Sequence, residues 1–346
     1  MNIFRSKTTT PIARNSRGWA RWLLVFLLVP FALACFLLLP MALAVTPAPD
    51  GGYANNNTAE GTNALFNLTI GTDNTANGFE ALFSNATGFQ NTATGSQALL
   101  NNTGNNNTAL GFQALLSNTT GIDNVASGVH ALLNNTTGNN NTANGVNVLE
   151  SNTTGSANTA CGWEALRSNT TGGVNTASGF KALLNNTTGY QNTATGSAAL
   201  ATNMTGVNNT ANGVDALYHN NGNNNTAAGF GALQFNTTGS SNLAVGFNAG
   251  LNLTTGSNNI DIGNVGVAAE ANTIRIGKQG TQNAAFIAGI SGSTVAGGVG
   301  VIVSSAGKLG TILSSARFKT DIKPMNEASE AILALRAGHL LLQKGT

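Results

Sequence analysis

Histidine, cysteine and paired carboxylates are the side chains that could give this chain acid/base, metal or nucleophilic chemistry, and over its long middle section their spacing supplies none of these. His130 and His219 are isolated and not at metal-ligand spacing, so surface or turn roles are expected for both. Glu80 and Glu164 hold the same place in a repeating unit, yet five units separate them, too far for a general acid and base to work together. Recurrent Asp, which a calcium-binding nonapeptide roll requires, is missing. Of the two cysteines, Cys35 sits in an N-terminal apolar segment whose removal would leave Cys161 as the sole thiol, so there is no internal disulfide framework. Cys161 is expected to be a small buried side chain, the alternative being contact with the same cysteine of a neighbouring chain. No cofactor and no metal site is expected.

What the residues do show is a unit of 17 positions beginning Asn-Thr-Ala-x-Gly, with starts at Asn57, Asn74, Asn91, Asn107, Asn124, Asn141, Asn158, Asn175, Asn192, Asn209, Asn225, Asn242 and Asn259. Ten of the twelve intervals are 17 residues and two are 16, a register that marks a stacked array rather than an enzyme-like globule. The unit reads Asn-Thr-Ala-x-Gly-φ-x-Ala-Leu-x-x-Asn-Thr-Thr-Gly-x-x, where φ is usually Phe, Val, Ser or Trp. Leu fills position 9 in eleven consecutive units, from Leu65 to Leu233, which predicts a core ladder in which each rung touches the next.

Two glycines per unit and clusters of Asn leave too few uninterrupted residues for a stable helix, so short strands and tight turns are expected. Seventeen residues at about 3.3 Å each make a circuit of roughly 56 Å, room for two short strands and two turns. Thirteen rungs about 4.8 Å apart make a body on the order of 60 Å long. Asn-Thr-Thr-Gly reads as a turn whose Gly takes positive φ. Both shortened units lose their residue there, at Asn102-Thr103-Gly104 and Asn220-Asn221-Gly222, where a turn tolerates deletion. A core of Ala and Leu is thin. Position 6 (Phe79, Phe112, Val129, Val146, Trp163, Phe180, Val214, Phe230) is therefore the candidate second apolar face, buried against copies of the chain.

Charge is scarce, with 8% of residues charged, and it is sorted along the chain. From Asn57 to Asn258 there are two basic residues, Arg167 and Lys181, against seven acidic ones, a balance of −5. With no basic stripe to release counterions from phosphates, nucleic acid is excluded as a partner of the array. Arg5, Lys7, Arg14, Arg17 and Arg21 precede an apolar run from Trp22 to Val45 that contains Ala42-Leu43-Ala44, the pattern of a signal peptide. Residues 1–45 are thus a signal peptide or an N-terminal membrane anchor, the only part expected to meet a membrane, and 46–56 a linker. Residues 57–263 form the repeat array. Residues 264–313, with β-prone runs such as Val299-Gly300-Val301-Ile302-Val303, read as a β-rich neck or stalk, an ordinary small β-domain being the alternative.

The repeat units resemble the head repeats of trimeric autotransporter adhesins over roughly residues 57 to 277, including Asn272-Thr273-Ile274-Arg275-Ile276-Gly277. That resemblance implies an all-β, left-handed parallel β-roll or solenoid that assembles as a homotrimer. The run Leu313-Ser314-Ser315-Ala316-Arg317-Phe318-Lys319-Thr320-Asp321-Ile322-Lys323-Pro324-Met325 resembles the opening of the self-cleaving intramolecular chaperone of endosialidase-type tailspikes. By that resemblance Ser314 is the nucleophile, Lys319 the base, and the bond before Ser314 the scissile one. The Lys would have to be desolvated enough to be neutral, since an ammonium cannot take the hydroxyl proton. Only 27 residues follow Lys319, so 314–346 reads as a truncated chaperone segment with a short amphipathic helix from Asn326 to Leu335.

Three functional classes follow. The first is an exported structural and adhesive fibre, presenting an Asn/Thr-rich surface to glycans, extracellular matrix or other cell surfaces through many weak contacts. The second is a monomeric solenoid that binds ice or crystalline polysaccharide through a Thr ladder at position 2 (Thr58, Thr75, Thr92, Thr108), interrupted by Val125 and Leu243. The third is a tail-fibre-like protein whose only chemistry is its own maturation at Ser314.

Overall fold

A computed structural model describes residues 53–288, 298 and 300–311 of the chain. The described residues fall into two units, one ending at Ile276 and one beginning at Gly277. The first is an all-β parallel solenoid of about thirteen coils. Its sheet has fourteen three-residue strands, from β1 (Thr58–Glu60) to β14 (Ile274–Ile276), each hydrogen-bonded in parallel to its sequence neighbours. Register follows the repeat: Thr142 lies opposite Thr159, Ala143 opposite Ala160 and Asn144 opposite Cys161. In the second unit β15 (Val301–Val303) pairs antiparallel with β16 (Leu309–Thr311).

The strands are short because only positions 2 to 4 alternate. Ala at position 3 points inward and is buried, while its neighbours point out, as in Thr159–Cys161. Two strands per coil were expected, but one is found. Positions 8 and 9 explain the difference: Ala165 and Leu166 are consecutive and both wholly buried, which a strand of period 2 cannot achieve. The chain instead places positions 7 and 9 in the left-handed region, Glu164 at φ 56° and Leu166 at φ 52°, and so turns both Ala165 and Leu166 inward. Hydrogen bonding between coils continues through this irregular side, where Leu166 N–H donates to Ala182 O (3.0 Å) and Ser168 N–H to Leu184 O (3.0 Å).

The core of each coil has three apolar positions and two amide ones. Ala and Leu at positions 3, 8 and 9 fill the middle of each coil. Asn at positions 1 and 12 fills the corners, wholly buried in almost every coil. At position 1 most Asn Nδ2 groups donate back to the preceding rung and sideways to a glycine carbonyl: Asn158 bonds Asn141 Oδ1 (3.1 Å) and Gly172 O (2.9 Å). Position 12 runs a second ladder, as in Asn169 Nδ2 to Asn152 Oδ1 (2.7 Å). That ladder lies between Leu68 and Leu253, and Asn236 Oδ1, with Leu253 in the next rung, has no donor. Leu253 compensates for Gly250, which replaces the position-9 Leu, so one leucine changes corner and the core stays filled.

Gly at position 15 does not take positive φ, contrary to the turn chemistry expected of Asn-Thr-Thr-Gly. It is required for close approach: a Cβ on Gly189 would lie 2.6 Å from the carbonyl oxygen of Gly206 in the next coil. The two shortened coils are absorbed beside it. Asn102 Nδ2 reaches Gly104 O at 2.9 Å across two residues, where Asn118 reaches Gly121 O at the same distance across three. The deletion leaves both ladders in register.

Candidate binding faces

With the interior closed, whatever the solenoid does it does through its outward columns. On the sheet, position 2 presents Thr58, Thr75, Thr92 and Thr108, then Val125, then Thr142, Thr159, Thr176, Thr193, Thr210 and Thr226, in direct register from strand to strand. Over the last three strands this face turns aliphatic. Leu243, Ile260 and Ile274 occupy position 2 and Val245, Ile262 and Ile276 position 4, with Ile274 and Ile276 at 66% and 74% exposure.

Cys161 belongs to this outer face. The expectation of a buried thiol is corrected: position 4 follows the inward Ala160, so alternation turns Cys161 to solvent, free and exposed.

Position 6 forms the second outward column and keeps its apolar character in the open, since Phe79, Phe112, Trp163, Phe180 and Phe230 are each nearly half exposed. Rings on adjacent rungs stack. Trp163 and Phe180 have centroids 5.0 Å apart and planes within 19°, and Phe230 and Phe247 lie 5.5 Å apart within 14°. Position-7 side chains lie over this column: Lys181 Nζ is 5.0 Å from the Trp163 ring and 5.1 Å from Phe180, and the His130 ring is 5.6 Å from Phe112. Lys181 also pairs with Glu164 (3.7 Å), which binds Arg167 (3.0 Å), which binds Glu150 (2.8 Å). This surface network, with Arg167 43% exposed, contributes little to stability.

Among the described residues, no group of three His, Cys, Asp or Glu side chains is placed to hold a metal ion. Glu80 and Glu164 stay apart, the first bonded to Gln97 (2.9 Å) and the second to Arg167 and Lys181. His130 and His219 lie on the surface against aromatic rings. Ser314 and Lys319, the N-terminal apolar segment and the short C-terminal helix lie outside the described residues. No described helix is long and apolar enough to cross a membrane.

One buried ionisable group breaks the pattern. Asp261 takes the place of the inward Ala at position 3, is wholly buried, and neither carboxylate oxygen has a hydrogen-bond partner. Arg275 stands opposite it in β14 but is engaged by Glu270, with Nη2 to Oε2 at 2.6 Å. Burial, reinforced by the Glu270 charge and opposed by Arg275, raises the Asp261 pKa from 3.8 to about 6. The native state therefore holds the proton more tightly than the unfolded chain. Its ionisation costs nothing below pH 4 and becomes a cost as pH rises through 4 to 6. Asp261→Ala, which restores the usual side chain of the column, is expected to stabilise the array at both pH values, and by on the order of 2 kcal/mol more at pH 7.5 than at pH 4. Urea unfolding at the two pH values measures the difference.

Sequence reasoning weighed Glu80 and Glu164 at position 7 only as an acid/base pair and did not single out the Gln residues that share that position beside the aromatic column. Glu80, Gln97 and Gln113 form a hydrogen-bonded chain across three coils, Gln97 Nε2 donating to Glu80 Oε2 (2.9 Å) and Gln113 Nε2 to Gln97 Oε1 (2.8 Å). Compared with known protein families, characterised proteins and solved structures, the chain finds no match in any of the three.

Proposed function

We propose that the chain is an exported structural and adhesive rod that works as a homotrimer and binds glycans, matrix or other cell surfaces through its repeated outward columns. The observation that carries this reading is the division of labour within each coil. The inward positions are occupied by a closed, hydrogen-bonded and packed interior, while the outward ones repeat the same groups in register about every 4.8 Å. Weak contacts repeated at that spacing, and again on three chains, add up to firm attachment without a deep pocket. Self-association is supported by the exposed position-6 column and by the aliphatic end of the sheet, which face solvent in a single chain. Light scattering on residues 46–346 is expected to return three times the chain mass. A monomer would overturn the trimeric reading.

A second reading has its own observation in its favour. The position-2 threonines form an outward column on a regular parallel sheet, the kind of ordered hydroxyl and methyl array that could match a crystalline surface such as ice or packed polysaccharide. It predicts thermal hysteresis in dilute solution that is abolished by Thr159→Lys and Thr176→Lys together. Full activity in that double variant, or none in the unaltered chain, would remove it.

A further inference from the structure

Four Asn-Gly pairs occur in the chain, at Asn77, Asn144, Asn212 and Asn221, and the fold treats one of them differently. In this dipeptide the glycine nitrogen can reach the side-chain carbonyl carbon of the Asn with no Cβ in the way, provided that its N–H is free and the peptide can rotate. Asn77, Asn144 and Asn212 end the strands β2 (Thr75–Asn77), β6 (Thr142–Asn144) and β10 (Thr210–Asn212). The glycine after each is bound into the preceding coil: Gly78 N–H donates to Glu60 O (2.7 Å), Gly145 N–H to Ser127 O (2.8 Å) and Gly213 N–H to Thr195 O (2.8 Å). Asn221 instead lies exposed in the shortened turn of the tenth coil. Its own N–H is held by Thr237 O at 2.7 Å, but the Gly222 N–H has no hydrogen bond among the described residues. The side-chain Oδ1 of Asn221 accepts the N–H of Met204 at 2.8 Å and, more weakly, that of Thr205 at 3.5 Å.

We propose that Asn221-Gly222 is a self-modifying site, where the side-chain amide is lost through a cyclic imide. The Gly222 nitrogen attacks Cγ of Asn221. The N–Cγ bond forms, the Cγ–Nδ2 bond breaks, and Nδ2 leaves as ammonia with the proton that the Gly222 nitrogen gives up. Negative charge gathers on Oδ1 as the nitrogen adds, and the N–H groups of Met204 and Thr205 already donate to that atom, so the fold stabilises the intermediate. Water then opens the imide at either carbonyl. One product is aspartate; the other is isoaspartate, with the main chain rerouted through Cβ, and nothing is oxidised or reduced. At the strand ends the same attack must first break a hydrogen bond of the ladder and twist the peptide out of the sheet. The other shortened coil lacks the site, since Asn102 is wholly buried and is followed by Thr103. Either product adds a carboxylate to residues 209–225, where Asp215 is the one formal charge. The altered peptide adjoins the Gly222 carbonyl, which holds Asn209 Nδ2 and Asn220 Nδ2 at 2.9 Å each, so the tenth coil records the age of the array in both charge and packing.

This site does not depend on the adhesive reading. The full chain, folded and in urea, is incubated in mildly alkaline buffer, and the peptides containing the four pairs are followed by mass spectrometry, with isoaspartate identified by enzymatic methylation. In urea the four pairs share one local sequence and are expected to react at similar rates. Folding is expected to slow Asn77, Asn144 and Asn212 by about tenfold or more, since each glycine N–H must first leave its bond, while Asn221 keeps its unfolded rate or exceeds it. Conversion at Asn221 rises with pH, because the nitrogen attacks once deprotonated. Asn221→Gln, which would have to close a larger ring, is expected to stop the reaction at this position with the circular dichroism of the fold unaltered. Asn221 slowed by folding as much as the other three pairs, or equal conversion of all four in the folded chain, overturns the site.

Discussion

Asn158→Ala is expected to destabilise the array by about 3–5 kcal/mol, seen as a large drop in the urea midpoint of the first unit's unfolding. Asn158 is wholly buried and four hydrogen bonds pass through its amide. Nδ2 donates to Asn141 Oδ1 and Gly172 O, and Oδ1 accepts both the backbone N–H and the Nδ2 of Asn175, at 3.1 Å each. The substitution orphans the backbone N–H of Asn175 in a dry interior, which costs about 1–3 kcal/mol, and each lost bond whose partners keep another adds about 0.5–1.5 kcal/mol. Asn169→Ala is the internal control. Its amide bonds Asn152 Oδ1, Gly172 O and Asn186 Nδ2 but no backbone N–H, so its cost is expected to be visibly smaller. Equal costs for the two would show that the ladders matter through packing alone.

Gly162→Ala is the other severe change. Gly162 has φ +124°, a conformation side chains rarely adopt, and a Cβ there would lie 2.6 Å from the carbonyl oxygen of Gly179 and 2.8 Å from its carbon. The obstructing atoms are backbone of the next coil, held by the bond from Gly179 N–H to Cys161 O, and cannot swing aside. Backbone strain and overpacking together cost about 3–6 kcal/mol. Since a coil touches only its neighbours, the damage is local in place and global in effect, uncoupling the coils before the seventh from those after it. The expected result is a second thermal transition and proteolysis near residue 162. Gly173→Ala, at a position that carries Phe89, Ile122 and Tyr190 in other coils, is expected to be nearly silent. A single unshifted transition in Gly162→Ala would contradict the packing described.

Much of this was legible in the residues. Leu and Ala at fixed positions announced the core because a stacked coil has to present the same atoms at the same height in every rung, and Leu99, Leu115 and Leu132 are wholly buried. The gaps at Asn102-Thr103-Gly104 and Asn220-Asn221-Gly222 pointed to a segment that absorbs a deletion, and the carbonyls of Gly104 and Gly222 show how it does so. Less legible was the conformation of the long side. The circuit had room for a second strand, and only the burial of both Ala and Leu at positions 8 and 9 forced the left-handed backbone. The Gly of Asn-Thr-Thr-Gly invited a turn assignment, whereas its role is set by a carbonyl one coil away.

The sequence alone determined the coil, its length and its count, because a period of 17 held over thirteen units is a statement about translation along an axis and needs no coordinates. It also set the expectation that the array does not bind nucleic acid, because charge is counted and not folded. Only the tertiary structure decided which polar residues go inside. Asn at positions 1 and 12 is as hydrophilic as Asn at position 17, and its burial is tolerated because the rung before it supplies an acceptor and the rung after it a donor, partners about 17 residues away that no local window contains. The same distance hides the outward aromatic column. Trp163 and Phe180 are ordinary residues in the chain, and they become a stacked pair only when two coils are placed one on the other.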